Sequence, residues 1–169
     1  MAISSALLGE YDHEMAKARE ALQRVPDGKF DWKPHTKSMS MGKLAAHIAQ
    51  FPSWAKMTME SPQLDVAPVG GQPVPQPELK SREQVLAFFD QSVPAARAAI
   101  AAASDQSMME PWALLSGGKT IFSMPRVAVL RGMIMNHMIH HRAQLGVYLR
   151  LNDIPVPATY GPSADEGNM

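Results

Sequence analysis

The chain has 169 residues, enough for one domain, and its 46% hydrophobic content is ample for a sizeable core. Sixteen basic and sixteen acidic side chains cancel, so no basic stripe recruits nucleic acid or an anionic lipid surface. Cysteine is absent, which excludes a disulfide framework, a protein thiol nucleophile and a thiolate metal site.

Glu10, Asp12, His13 and Glu14 interrupt the N-terminal segment before any signal-like apolar run develops. No stretch approaches the ~18 uninterrupted apolar residues of a membrane span, and the expectation is a soluble cytoplasmic protein. The thirteen methionines scatter through helical stripes, where flexible core filling is their ordinary role.

Leu7, Leu8, Tyr11, Met15, Ala18 and Leu22 recur at three- and four-residue intervals and predict an amphipathic helix over roughly residues 3 to 24. Ser4 or Ser5 is the expected cap, and Val25-Pro26-Asp27-Gly28 the stop. After a loop with Trp32 and Pro34, a second helix is expected from about Ser40, with Leu44, Ile48, Phe51, Ala55 and Thr58 inward. Pro52 inside it predicts a kink just beyond His47. Ser61 to Lys80 has no period and carries Pro62, Pro68, Pro73, Pro75 and Pro77, which reads as a long loop suited to covering a site. Ser81-Arg82-Glu83-Gln84 has the form of a capping box opening a third helix, with Val85, Phe88, Phe89, Ala96 and Ile100 inward and Pro94 inside it. Trp112 to Leu115, Ser116-Gly117-Gly118 and Thr120 to Phe122 predict a short β-hairpin. The fourth helix is expected from about Pro125 to Leu151. Asn152 to Met169, with Pro155, Pro157 and Pro162, reads as a non-helical tail laid over the helices. Four long helices and a minor hairpin predict an all-α fold, an antiparallel four-helix bundle forming one domain over residues 1–169.

His137-Met138-Ile139-His140-His141 lies within the fourth helix. On a helical wheel at ~100° per residue, His137 and His141 fall inside the apolar arc of Leu130, Met133, Ile134, Met138, Leu145 and Tyr148. His140 falls just outside it, and Gln144 inside. The internal pair is therefore HxxxH, the spacing with which one helix presents two imidazoles to one metal ion. His47 lies one turn beyond Leu44 at the edge of the second helix's apolar arc, within reach of the same centre. The ordinary alternative is that each buried ring is satisfied by a carbonyl or hydroxyl across the helices.

His13 and His35 are expected on the solvated surface. No Glu-x-x-His repeats supply a two-metal carboxylate centre, and neither Gly70-Gly71 nor Gly117-Gly118 is placed as a nucleotide loop. Arg142 and Gln144 flank the histidines and are candidates to orient substrate, although a solvated position suits Arg142 equally.

The run Asn136-His137-x-x-His140-His141-Arg142-x-Gln144-Leu145, with Tyr148-Leu149-Arg150-Leu151-Asn152-Asp153-Ile154-Pro155-Val156-Pro157 and Tyr160-Gly161-Pro162-Ser163, resembles the C-terminal signature of DinB/YfiT-like metal-binding proteins. Ser40-Met41-Gly42-Lys43-Leu44-Ala45-Ala46-His47-Ile48 resembles their second-helix segment. The resemblance implies a four-helix bundle, usually a homodimer, holding a divalent ion on three histidines. Matched residue by residue these are His47, His137 and His141. Some members of that family are transferases or isomerases that use a low-molecular-weight thiol such as bacillithiol or mycothiol.

The expected activity is that of a metal-dependent enzyme on a small-molecule substrate, of the thiol-dependent S-transferase type. A metal-dependent hydrolase, or a non-catalytic, stress-related dimeric metal-binding scaffold, is the alternative. Zinc or nickel suits three imidazoles best, with iron or manganese also acceptable.

Overall fold

Leu7, Tyr11, Met15, Ala18 and Leu22 are all buried along α1 (Ile3–Gln23), as their spacing requires. The computed structural model describes residues 2–72, 74–75 and 77–167; Pro73 of the proline-rich connection and the last two residues of the tail lie outside the described residues. Neither Ser4 nor Ser5 caps α1. The N-cap is Ala2, which offers no side-chain bond, and Asp105 Oδ1 instead accepts the Ile3 N–H at 2.7 Å. The cap that the sequence seeks locally comes instead from a residue 102 positions along the chain.

Helix α2 (Met41–Glu60) begins where expected, with Ser40 Oγ accepting the Lys43 N–H at 3.3 Å. The Trp32 and Phe30 carbonyls accept from Met41 and Gly42 at 2.8 and 2.9 Å, so the preceding loop seats the first turn. A Cβ at Gly42 would collide with the Phe30 ring. Leu44, Ile48, Phe51, Ala55 and Thr58 are buried, and α2 runs through Pro52.

Helix α3 (Arg82–Ala101) opens on Ser81, whose hydroxyl accepts the Gln84 N–H. Gln84 Oε1 reaches back to the N–H of Lys80 at 2.8 Å, one residue earlier than a reciprocal capping box would. Val85, Phe89, Ala96 and Ile100 are buried, with Phe88 partly so. A short helix, α4 (Asp105–Met109), precedes the sheet.

The proline-rich connection is not wholly a loop. Its residues Gln63–Asp65 form β1, which pairs in parallel with β2 (Pro111–Ser116), and β2 pairs antiparallel with β3 (Lys119–Pro125). The expected hairpin is thus two strands of a three-stranded sheet in the order β1-β2-β3, with a register shift between Leu114 and Leu115. Gly117 and Gly118 turn it with φ of 61° and 75°, the left-handed pair that a tight turn between right-twisted strands demands. Asp65 accepts from the N–H groups of Ala67, Gly117 and Gly118 at 3.0, 3.1 and 2.7 Å, tying β1 to that turn.

The last long helix is not uniformly α. It comprises α5 (Arg126–Ala128), a π-helical segment (Val129–Asn136) and α6 (His137–Arg150). Wider turns shift the phase of a wheel drawn at ~100° per residue. Met133, expected inward, is 39% exposed, while Met135 is 1% exposed. Arg126 anchors the start of this stretch, donating from Nε to the Thr58 carbonyl of α2 at 3.0 Å.

The fold is mostly helical with one small sheet. Helix α1 packs on α3, α3 on α2, α2 on α6 and α6 on α1, closing a ring of contacts around the core. No helix forms in 152–167; this tail is held by Arg150 to Asp165 and by Tyr160, which caps a buried ion pair. In that pair Arg142 Nη1 lies 2.7 Å from Glu14 Oε2, and Arg142 Nη2 donates to Tyr160 Oη at 2.8 Å. Tyr160 in turn donates to Glu14 Oε1 at 2.8 Å. Among the described residues no helix is long and apolar enough to cross a membrane.

Candidate metal centre

Helix α2 supplies His47 and α6 supplies His137 and His141, and the packing of α2 on α6 brings the three rings together. One donor nitrogen of each lies within 4.8 Å of the others. Ring centroids of His47 and His141 are 4.6 Å apart, and those of His47 and His137 are 5.5 Å apart. His140 is exposed, as are His13 on α1 and His35 in the loop before α2, and neither of the latter two belongs to the trio.

The ring orientations follow from their neighbours. His141 Nδ1 donates to Gln144 Oε1 at 2.7 Å, which leaves its Nε2 as a bare lone pair. That Nε2 lies 2.9 Å from His137 Nε2. The His137 ring is itself held by a hydrogen bond to the backbone of Met133, in the π-helical segment. A lone pair aimed at a second imidazole nitrogen calls for a positive centre between them, a proton or a metal ion. With bonds of ~2.0–2.1 Å in tetrahedral geometry, two nitrogen ligands stand roughly 3–3.5 Å apart, close to the His137–His141 separation of 2.9 Å.

Phe51 and Trp54, one and two turns after His47, back the trio edge-on at 5.0 and 5.4 Å from the His47 ring. Phe51 also sits 4.9 Å from His137. Burial in this apolar wall pushes the His47 pKa down to about 4, with the neighbouring His141 and His137 adding to the fall. Burial likewise lowers His137 and His141, against the opposing hydrogen bonds to Met133 and Gln144. All three are therefore neutral at physiological pH, the form that binds metal.

Of the two flanking residues, Gln144 belongs to the centre and Arg142 does not. Arg142 is buried against Glu14 and Tyr160. Trp54 escaped the sequence reading although it lies seven residues after His47, two helical turns along the same face, which was the available signal. The contribution of Met133 had no such signal, because it depends on π-helical winding.

A model of the DinB family matches residues 4–168. The chain belongs to the DinB family. No curated protein matches the sequence. Among solved structures, it is similar to a DinB-like protein from Bacillus cereus ATCC 10987, with 19% identity and a TM-score of 0.66 over 90% of this chain and 95% of that one. It is also similar to the DinB-like protein YjoA from Bacillus subtilis, with 15% identity and a TM-score of 0.67 over 91% and 96% of the two chains. At these identities the likeness establishes a shared DinB-like fold. The three-histidine group is a place where this DinB protein could hold a metal ion.

Proposed function

We propose that the protein is a metal-dependent enzyme, with a divalent ion on His47, His137 and His141 and at least one coordination position left for a small molecule. The observation that carries this reading is the convergence of three neutral imidazoles from two helices with no carboxylate or thiolate among them. Structural zinc sites are commonly closed by four protein ligands, whereas three-ligand sets leave a position open. Zinc or nickel suits the donor set best. When bound, such an ion supplies a positive charge that no ligand offsets, favouring the deprotonated form of a thiol or of water.

The chain's own residues divide the remaining work. Gln144 fixes which His141 nitrogen faces inward, the Met133 backbone fixes His137, and Phe51 and Trp54 exclude water from the His47 side. With no cysteine in the chain, a thiol reactant has to be a low-molecular-weight cofactor. The reaction proposed is an S-transfer, in which that thiolate forms a sulfur–carbon bond to a small electrophile as the electrophile's leaving group departs with the bonding pair. The same reading takes the ring of α1, α3, α2 and α6 as an antiparallel four-helix bundle that pairs into a homodimer. Val147 and Leu151, each 58% exposed on the last helical stretch, are apolar positions a second copy would cover.

Elemental analysis of the untagged protein tests the ion. About one equivalent of a transition metal is expected, and less than about a tenth after reconstitution sinks the reading. Titrating the cobalt-substituted protein with small thiols then tests the open position. An added near-ultraviolet charge-transfer band is expected, and spectra indifferent to every thiol count against transfer chemistry.

A further inference from the structure

A cavity of about 230 Å³ lies beside the histidines, between α2, the sheet and the π-helical segment. Its walls include Trp54, Leu64, Trp112, Leu114 and Phe122, and His137 is the one histidine of the trio that reaches it. Among the described residues no Asp, Glu, Lys or Arg lines it. Val66 and Met133 also line it while 42% and 39% exposed, so its mouth is apolar and open to solvent.

Three features set the occupant. The lining excludes a charged body, since a buried ion here would have no partner. The volume falls below the roughly 300–1,000 Å³ of sites for drug-sized ligands, which leaves room for one ring or a short branched chain. His137 places any head group that enters beside the histidine trio. Trp112, 4% exposed, also keeps an indole N–H without a partner among the described residues, in walls otherwise almost wholly apolar. Close-packed proteins seldom leave such space without use, because unfilled volume forfeits packing.

We infer that the cavity is the substrate pocket, and that it takes a small uncharged aromatic or branched-alkyl group whose polar head lies at His137. The orientation of the head rests on the metal reading above; the apolar occupant does not. This gives the β-sheet a role that the helices alone cannot fill, since all three strands reach the wall: Leu64 of β1, Trp112 and Leu114 of β2, and Phe122 of β3.

Two measurements test this separately. Benzyl alcohol, added to methyl-labelled protein as purified, is expected to give nuclear Overhauser contacts to Leu64 and Leu114; none up to about 10 mM overturns the pocket. On zinc-loaded protein, benzohydroxamate is expected to bind at least about tenfold more tightly than acetohydroxamate. Leu114→Trp and Leu64→Trp, each filling the cavity from a different strand, are expected to erase that preference, with zinc content measured on each variant as the check that the histidine trio is intact. Equal affinities of the two hydroxamates in the unaltered protein overturn the proposal. Contacts from benzyl alcohol in a protein that takes up no metal support the apolar pocket and refute the proposed ion.

Discussion

Gln144 Oε1 accepts from His141 Nδ1 at 2.7 Å, while the same amide's nitrogen lies 3.0 Å from His140 Nε2. One side chain thereby assigns opposite parts to two adjacent histidines. His141 is turned with its free nitrogen toward His137, and His140 is kept occupied on the exposed side. Gln144→Ala removes that constraint without touching a ligand. Metal affinity is expected to fall about 10- to 100-fold, measured by competition with a chelator. Unchanged affinity shows that helix packing alone orients the ring.

The ligands themselves separate more sharply. His137→Ala or His141→Ala is expected to abolish tight metal binding, whereas His140→Ala leaves it largely intact. Metal content after dialysis reads the difference. Loss in His140→Ala with retention in His141→Ala assigns the wrong ring to the centre.

The depressed histidine pKa values set the acid limit. Ordinary imidazoles begin to exchange metal for protons near pH 6.5. His47, pushed down to about 4 by burial and by its two neighbours, resists protonation further, and His137 and His141 are lowered as well. Zinc affinity is expected to hold level to about pH 6 and fall toward pH 4. For the metal-free fold the sign is the same. Below about pH 6.5 the unfolded chain binds a proton that folded His47 refuses, so stability complete at neutral pH is lost progressively down to about pH 4. Urea midpoints for the metal-free protein and for His47→Gln check this. Parallel pH profiles for the two refute the His47 contribution.

The trio was readable because helical period alone places residues 137 and 141 on one face, and that face has to meet the apolar stripe carrying His47. The phase error at Met133 has a local cause in the π-helical winding, which side-chain periodicity does not announce. Strand β1 was hidden for a different reason. Three residues in a proline-rich run become a strand only through a partner near residue 114, and nothing nearby in sequence requires it. Arg142 read as a residue that orients substrate or faces solvent, and nothing in the sequence paired it with Glu14, because charged residues are seldom buried singly; here the two are buried as a pair.

That pair gives a stability prediction. Both side chains are 5% exposed. Arg142→Met strands the Glu14 carboxylate and is expected to cost about 3–5 kcal/mol. Glu14→Gln with Arg142→Met is expected to recover much of the loss. Denaturant unfolding measures both, and a mild single-variant effect means that the pair is solvated.

Gly42 supplies a test of the seat under α2. Gly42→Ala drives a methyl into the Phe30 ring and is expected to cost about 1–3 kcal/mol. Combining it with Phe30→Ala removes the collision, so the two losses are expected to add to less than their sum. Strict additivity in thermal or denaturant unfolding rejects the contact.

Asp65 also settles what the glycine turn is not. Amides of consecutive residues in a left-handed turn make a concave nest that attracts anions. Here the Gly117 and Gly118 amides already point at a carboxylate of the same chain, and although desolvation opposes it, hydrogen bonds from Ala67, Gly118 and Gly117 hold the Asp65 pKa below its ordinary value. The nest is filled from within at every physiological pH, so phosphate, nucleotide or sulfate in solution meets a lock whose key is part of the door.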